Sequence, residues 1–163
     1  MKSIIIYCSK TGNTEKVAAA VQRGLGNSAD MLKLDLTTEG IMKSYSSSFT
    51  LDLSAYDFVF FGAWTMIMRV HPFMAGFIQR CENLEGKSVA GFITGGAIFS
   101  REHARSDFES LVHAKKAKVV DFIFITTLLG PLLTRKKLAK AEAFARDVLK
   151  RFEIKHTHSD RVS

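Results

Sequence analysis

The segment 58–61, Phe-Val-Phe-Phe, constrains the fold of this chain more than any other part of its sequence. Successive side chains of a strand point to opposite faces, so a strand of this composition is apolar on both faces. Such strands occupy the centre of parallel sheets that are covered by helices on both sides. We therefore expect residues 56–62 to form a central parallel strand.

Strand and helix patterns alternate along the rest of the chain. Short apolar or β-branched runs predict four further strands, at 3–8, 30–36, 87–94 and 118–126. Helical spacing of apolar residues, or a helix-start signal such as Pro72, predicts helices at 14–25, 72–81, 102–113 and 135–152. Strands separated by helices imply right-handed crossovers, so the predicted fold is a three-layer αβα sandwich on a five-stranded parallel sheet.

The chain length of 163 residues fits one domain. We assign residues 1–153 to this domain and residues 154–163 to a frayed basic tail, with a long Ser-rich loop and a short irregular helix at 37–55. The longest apolar run, 122–133, is interrupted by polar residues, Gly and Pro, and is shorter than the roughly 20 residues of a membrane span. No targeting pattern is visible, so a cytoplasmic location is expected.

The net charge of +7 is unevenly distributed. Residues 134–163 contain nine Lys or Arg and four Asp or Glu, a net charge of +5. A solvated helix face, an acidic partner or an anionic surface would each suit this charge, whereas no nucleic-acid-binding module accompanies it. The apolar segment beside the basic helix fits a peripheral membrane contact, a dimer contact or burial under that helix, through Leu128, Leu129, Leu132 and Leu133.

The cysteines and histidines of the sequence do not form the patterns of a hydrolytic or metal-binding site. The two cysteines make no disulfide framework, and Cys8 at the end of an apolar strand is interpreted as a buried, inert thiol. A cysteine phosphatase would need an Arg six positions later, where Thr14 stands. The five histidines lack metal-ligand spacing, and the pair His156 and His158 lies in the predicted tail. We therefore predict neither a metal site nor a catalytic residue.

Ligands of parallel sheets bind outside the carboxyl ends of the strands, which selects the loops after Cys8, Phe61 and Thr94. The first loop, Ser-Lys-Thr-Gly-Asn-Thr at 9–14, combines hydroxyls, an amide and a Gly turn at the start of a helix. These groups make an anion site. Neither a Walker A motif nor G-x-G-x-x-G is present, and the neutral donors favour a terminal phosphomonoester. A Ser/Thr-rich helix cap is the alternative.

The pattern S-x-T-G-x-T after a first strand resembles the phosphate loop of the flavodoxins. The resemblance extends over nearly the whole chain, through Tyr56-Asp57 before the strand that ends in Gly62 and Gly86-Lys87 before the strand that ends in Thr94-Gly95-Gly96. It implies a flavodoxin-like fold with strand order 2-1-3-4-5 and FMN at the carboxyl edge. The cofactor-binding residues that it implies are Ser9, Lys10, Thr11, Gly12, Asn13, Thr14, Ala63, Trp64, Thr65, Met66, Thr94, Gly95, Gly96 and Phe99.

The resemblance also implies which residues would contact the two faces of the flavin ring. Met66, four positions after Gly62, is the first choice for a residue against one ring face, and Trp64 is the second. Phe99 occupies the position where many flavodoxins have a stacking Tyr. Simple packing or an apolar contact surface is the alternative for the Met, Trp and Ile residues of the second loop.

The chain departs from the family pattern in charge. Gly96 stands where electron-transfer flavodoxins tend to have Asp. Basic residues follow the two ring loops, with Glu102 as the main counter-charge: Arg69, His71, Arg101, His103 and Arg105. An acidic surround disfavours the anionic, fully reduced flavin, whereas a basic rim would favour it. We therefore expect the second reduction to be easier than in a carrier flavodoxin.

Three functions remain open. The first is an FMN-binding carrier that transfers electrons between protein partners, with acidic, ferredoxin-like proteins suiting the basic charge. The second is an FMN-dependent oxidoreductase acting on a small molecule such as a quinone or a protoporphyrinogen-type substrate. The third is a flavodoxin-like binding module without flavin. The physiological donor and acceptor, the redox potentials and the oligomeric state are not determined by the sequence.

Overall fold

The computed structural model describes residues 2–35, 50–127 and 133–159, with side chains described as far as residue 153. The strands in chain order are β1 (Ser3–Tyr7), β2 (Asp30–Lys33), β3 (Phe58–Met66), β4 (Arg69–Val70), β5 (Ser88–Gly95) and β6 (Lys118–Thr126). The helices are α1 (Asn13–Gly24), α2 (Pro72–Arg80), α3 (Ser100–Ala114) and α4 (Arg135–Ser159).

The five long strands form one parallel sheet of order β2-β1-β3-β5-β6. The two-residue strand β4 lies off this path and pairs antiparallel with β3 alone. When β4 is left out of the count, the order is 2-1-3-4-5. The three-layer αβα fold and its strand order are therefore confirmed.

The core consists of two clusters, one on each face of the sheet. On one face, β-strand residues such as Ile6 and Phe61 pack with the buried sides of α2 and α3, which include Phe77 and Phe108. On the other face, the cluster combines β-strand residues such as Phe60 with the buried sides of α1 and α4. Alternate residues of one strand thus serve different clusters, as the pleat requires.

The central strand β3 is buried on both faces, because residues 58–61 are at most 1% exposed. The strand does not end at Gly62 as expected but continues to Met66, paired with β5 as far as Trp64 opposite Thr94. Gly62 is required for packing instead of for a turn, since a Cβ there would lie 2.0 Å from Cζ of Phe92. The expected loop 62–69 is thus a β-hairpin formed by β3 and β4.

Helix α4 extends further than expected, to Ser159 instead of residue 152, so the backbone of residues 153–159 is helical. Residues 160–163 and the side chains of His156 and His158 lie outside the described part, as does most of the predicted loop 37–55. Leu128, Leu129 and Leu132 also lie outside it, whereas Leu133 packs partly buried against the α1 and α4 cluster. The boundary at residue 153 stays a prediction.

Within the described ranges, no helix combines the length and the apolar character needed to cross a membrane.

The thiol of Cys8 is buried, which decides its reactivity. Burial raises the pKa of the Cys8 thiol to about 12, so the group stays protonated near neutral pH. The interpretation of Cys8 as a buried, unreactive thiol is therefore confirmed.

Candidate functional site

A cavity of about 140 Å³ lies at the carboxyl edge of the sheet. It is lined by Lys10, Thr11, Asn13, Thr14, Trp64, Thr65, Thr94, Gly95, Gly96 and Thr127. Nine of the fourteen predicted residues are among these, and they come from all three of the segments selected from the sequence. The fold thus brings together segments that are far apart in the chain.

The start of α1 forms the floor of an anion site. Gly12, at the cap position, has φ of +82°, a left-handed conformation that side chains rarely adopt, and its carbonyl accepts the Lys16 N–H at 3.0 Å. No side chain caps this helix end. The first N–H groups of α1 are consequently free to meet a ligand, at the end of the helix that carries positive partial charge.

Two buried polar atoms beside this helix end have no hydrogen-bond partner among the described residues. They are the Ser9 hydroxyl oxygen and Oδ1 of Asn13. Such atoms are rare in folded proteins because leaving a buried polar group unsatisfied costs about 1–3 kcal/mol. The Ser9 hydroxyl is able to donate to a phosphate oxygen, and Oδ1 of Asn13 to accept from a ligand hydroxyl. The group that satisfies them is therefore expected to carry both functions.

A buried chain of hydroxyls joins the three segments behind the cavity. Oγ1 of Thr14 lies 3.0 Å from Oγ1 of Thr94, and the Thr94 hydroxyl donates to the Ala63 carbonyl at 3.4 Å. Thr14 therefore donates to Thr94, since the Thr94 proton is already engaged. These hydrogen bonds connect α1, β5 and β3 behind the cavity.

The β3–β4 hairpin holds Trp64 in place at the cavity wall. The His71 N–H donates to the Trp64 carbonyl at 3.0 Å, and the two rings stack with centroids 4.0 Å apart. His71 caps α2, because its Nδ1 accepts the Phe73 N–H at 3.2 Å. His71 thus caps the helix that Pro72 was predicted to start, and it also contacts a cavity residue.

The positive charge of Lys10 acts on the His71 ring. The pKa of His71 lies below its ordinary value of 6.5 because burial disfavours the charged ring and because the Lys10 ammonium repels a second positive charge. His71 is therefore neutral at pH 7. Its unprotonated Nδ1 is the form that the cap requires.

Five of the predicted residues do not line the cavity: Ser9, Gly12, Ala63, Met66 and Phe99. Ser9, Gly12 and Ala63 lie behind it, in the helix-start loop and in the buried part of β3. Met66 and Phe99 are 47% and 69% exposed and belong to the loops on its rim. A ring bound between these two side chains would thus lie at the surface, outside the enclosed volume.

The basic rim is more neutral than the sequence suggests. Each of its three arginines has a carboxylate partner: Arg69 with Asp107 at 2.9 Å, Arg101 with Glu102 at 3.6 Å, and Arg105 with Glu109 at 2.8 Å. Glu102 is therefore only one of three counter-charges. Among the described residues that line the cavity, Lys10 is the one charged residue.

Thr127 is a cavity residue that the sequence analysis missed. It follows β6, and its N–H donates to the Gly95 carbonyl at 2.7 Å. The signal was present, because the rule that selected the loops after the other strands applies equally to the end of the fifth long strand.

The family model described as flavodoxin domain matches residues 4–161. This chain belongs to the flavodoxin family. A flavodoxin of Clostridium saccharobutylicum is 30% identical over 100 residues, which cover 60% of this chain and 58% of that protein. The match thus spans less than two thirds of the length of this relative.

Solved structures of flavodoxins show the same fold. The oxidised flavodoxin 2 of Bacillus cereus has a TM-score of 0.69 at 21% identity, with 93% of this chain and 99% of that chain covered. A flavodoxin from an archaeon has a TM-score of 0.65 at 18% identity, with coverage of 94% and 99%. The WrbA-like protein of Agrobacterium tumefaciens has a TM-score of 0.64 at 16% identity, with coverage of 90% and 94%.

Membership in the flavodoxin family implies a flavin cofactor, and the site fits an anionic part of such a ligand. The uncapped helix start and the Ser9 hydroxyl suit a phosphate, and Asn13 suits a hydroxylated chain next to it. A cavity of about 140 Å³ is small beside the several hundred Å³ of typical ligand pockets. It therefore has room for an anionic group and an adjoining chain, but not for a whole flavin.

The pH dependence of stability tests the surroundings of His71. The folded protein holds its pKa below 6.5, so between that lowered value and 6.5 the unfolded chain binds the proton and the folded chain does not. The contribution of His71 to the free energy of unfolding is thus complete above about pH 7. It is lost as the pH falls through the lowered pKa.

Urea denaturation at a series of pH values measures this contribution. The variant His71→Asn keeps a capping acceptor but does not titrate, so its stability should fall less than that of the parent protein over the same acid range. Equal slopes for the parent and His71→Asn would contradict the assignment.

Proposed function

We propose that this chain binds FMN at the carboxyl edge of its sheet and transfers electrons between protein partners in the cytoplasm. The observation that carries the proposal is the uncapped start of α1 beside the buried, unpartnered Ser9 hydroxyl. Family membership supplies the flavin, and this arrangement supplies a reason for its phosphate. When bound, the flavin accepts and releases the electrons, while the chain binds and positions it.

The preference for FMN follows from the donors at the helix start. A phosphomonoester gains the N–H groups of α1 and the Ser9 hydroxyl, and riboflavin, which has no phosphate, gains none of them. The hydroxyl chain from Thr14 to Ala63 keeps these donors in place before the ligand arrives. Little reorganisation is then needed on binding.

The first test compares the two flavins. The variant Ser9→Ala should weaken FMN binding to the apoprotein by about 10-fold or more, because a hydrogen bond to a charged group contributes about 1.5–3 kcal/mol. Its affinity for riboflavin should be unchanged. Quenching of flavin fluorescence during titration of the apoprotein measures both affinities.

The matched control is Ser110→Ala, since that hydroxyl donates to the Ser106 carbonyl on the exposed side of α3. It should alter neither affinity. Equal losses of FMN and riboflavin affinity in Ser9→Ala would show that the residue supports the fold and not the phosphate. Purified protein that is colourless and gains no flavin would leave only the flavin-free binding module.

The expected ease of the second reduction now depends on Lys10. The rim arginines are paired with carboxylates, whereas Lys10 lines the cavity and its charge already lowers the pKa of His71. No carboxylate lines the cavity within the described ranges. An anionic, fully reduced flavin would therefore meet one attractive charge and no repulsive one at the cavity wall.

The variant Lys10→Gln should lower the midpoint potential of the second electron by on the order of 40 mV, the equivalent of about 1 kcal/mol for one charge pair near water. The first midpoint should change less, since less negative charge has formed at that stage. Redox titration followed by absorbance measures both. Arg105→Gln, which removes an arginine already paired with Glu109, is the control and should leave both potentials nearly unchanged.

Protein partners are tested by direct transfer. The FMN-loaded chain should accept electrons from a reduced ferredoxin at rates that fall as salt is added, because the chain is basic and ferredoxins are acidic. Steady-state reduction of soluble quinones by the same preparation should be slow. Stopped-flow absorbance of the flavin measures the first rate and quinone absorbance the second.

One observation favours the second candidate, an oxidoreductase acting on a quinone or a similar small molecule. The rim residues Met66 and Phe99 are exposed, and they offer an apolar contact for a flat, apolar acceptor beside the ring. Fast quinone reduction together with slow, salt-independent transfer from ferredoxin would establish that candidate in place of the carrier.

A further inference from the structure

The exposed apolar residues of this chain are concentrated at one place. In the described ranges, the large hydrophobic side chains that are exposed all belong to two loops beside the cavity: Met66, Ile67, Met68, Ile98 and Phe99. Ile67 is 83% exposed and Ile98 is 64% exposed. Scattered surface hydrophobics need no explanation, whereas a group confined to two adjacent loops indicates an interaction surface.

The hairpin tip is held in an unfavourable conformation. Ile67 and Met68 form a two-residue turn between the paired residues Met66 and Arg69, and both have positive φ, at 48° and 64°. Turns of this kind favour Asn-Gly, and a β-branched residue is a marked outlier there. The chain thus accepts both backbone strain and exposure of an apolar side chain at one tip. Burial of the tip on binding would remove the cost of exposing this apolar side chain to water.

Cations lie at the same edge of the sheet. The first two turns of α4 contain four basic residues and no acidic residue in the first turn, although the positive end of the helix dipole disfavours cations there: Arg135, Lys136, Lys137 and Lys140. Lys137 donates to the Thr126 carbonyl at 2.6 Å, which fixes this helix end beside the cavity end of β6. For Arg135, Lys136 and Lys140, no ion-pair partner lies within the described residues.

The basic helix end and the apolar loops form one surface. Ile98, Arg101 and Lys140 line a common groove of about 340 Å³, which Asp147 and the ion pair of Asp121 with Arg151 also line. The surface therefore joins the apolar loop at Ile98 to Lys140 through Arg101, which is itself paired with Glu102. We define it as the edge surface, made of residues 66–68, 98–99, 101, 135–136 and 140.

We propose that the edge surface docks this protein onto an anionic lipid bilayer. Apolar tips that project from separate loops enter the interfacial layer, and the flanking cations bind the anionic headgroups. A bilayer accepts such tips wherever they fall, whereas a protein would need an apolar pocket matched to each of them. The proposal goes beyond electron transfer, since it concerns where the cavity faces. With flavin bound, the tips that enter the interfacial layer are Ile67, Met68 and Ile98, because Met66 and Phe99 are the residues assigned to the ring.

Sedimentation with vesicles tests the proposal on the full chain. The protein should bind vesicles of phosphatidylcholine mixed with phosphatidylglycerol and should not bind vesicles of phosphatidylcholine alone. The double variant Ile67→Asn with Met68→Gly installs the residues that the turn prefers and removes the apolar tip. It should bind at least about 10-fold more weakly, with an unfolding midpoint equal to or higher than that of the parent protein.

The charge variants Lys136→Gln and Lys140→Gln should each weaken vesicle binding about fivefold, and added salt should weaken the binding of the parent protein. The matched control is Lys118→Gln, an exposed lysine at the start of β6 and hence at the opposite edge of the sheet. It should bind like the parent. Retention of FMN by each variant shows that the cavity is intact.

Several outcomes would overturn the proposal. These are failure to sediment with the anionic vesicles, equal binding to both vesicle types, or undiminished binding of the double variant. A fourth is a salt-sensitive complex with a ferredoxin that weakens in the same variants while no vesicles are bound. That result would assign the edge surface to an acidic protein and would leave the electron-carrier function in place.

Discussion

Burial of β3 on both faces is the constraint on which the rest of this structure depends. Its residues 58–61 are almost wholly inaccessible, so helices must cover the sheet on each side, α1 and α4 on one face and α2 and α3 on the other. Parallel neighbours then require crossovers of one hand, and every long strand ends at the same edge. The functional site lies at that edge because the segments that follow the strands meet there.

Within the site, the described lining residues are neutral apart from one lysine. The hydroxyls of Thr14 and Thr94 connect three segments through buried hydrogen bonds, and the uncapped α1 provides donors for an anion. Among the described residues of the cavity wall, Lys10 carries the one positive charge, and it adds to the effect of burial in lowering the pKa of His71. Outside this wall, apolar loop tips and the cations of α4 form the edge surface, so the position of the cavity and the docking of the molecule are linked.

The resemblance to the flavodoxins supplied the strand order and nine of the residues that line the cavity, whereas local periodicity predicted the strands and the rule for strand ends selected the three segments. Sequence-based prediction failed where long-range contacts decide. Gly62 was expected to end its strand, but the ring of Phe92, thirty residues away, occupies the space of its missing side chain and the strand continues to Met66. The arginine at position 69 suggested a free cation, but Asp107 in another element neutralises it.

What the sequence by itself determined is the framework and the chemistry of the phosphate loop. Both follow from residues that are neighbours in the chain, whose spacing sets a periodicity and whose hydroxyls and glycine shape one turn. Only the tertiary structure decided which charges near the cavity are left without an ion-pair partner and that Thr127 lines the cavity. It also decided that the apolar tips lie at the same edge of the sheet as the start of α4. The physical reason is that charge pairing and exposure depend on which elements the fold places side by side. Local sequence patterns do not determine which distant elements become neighbours.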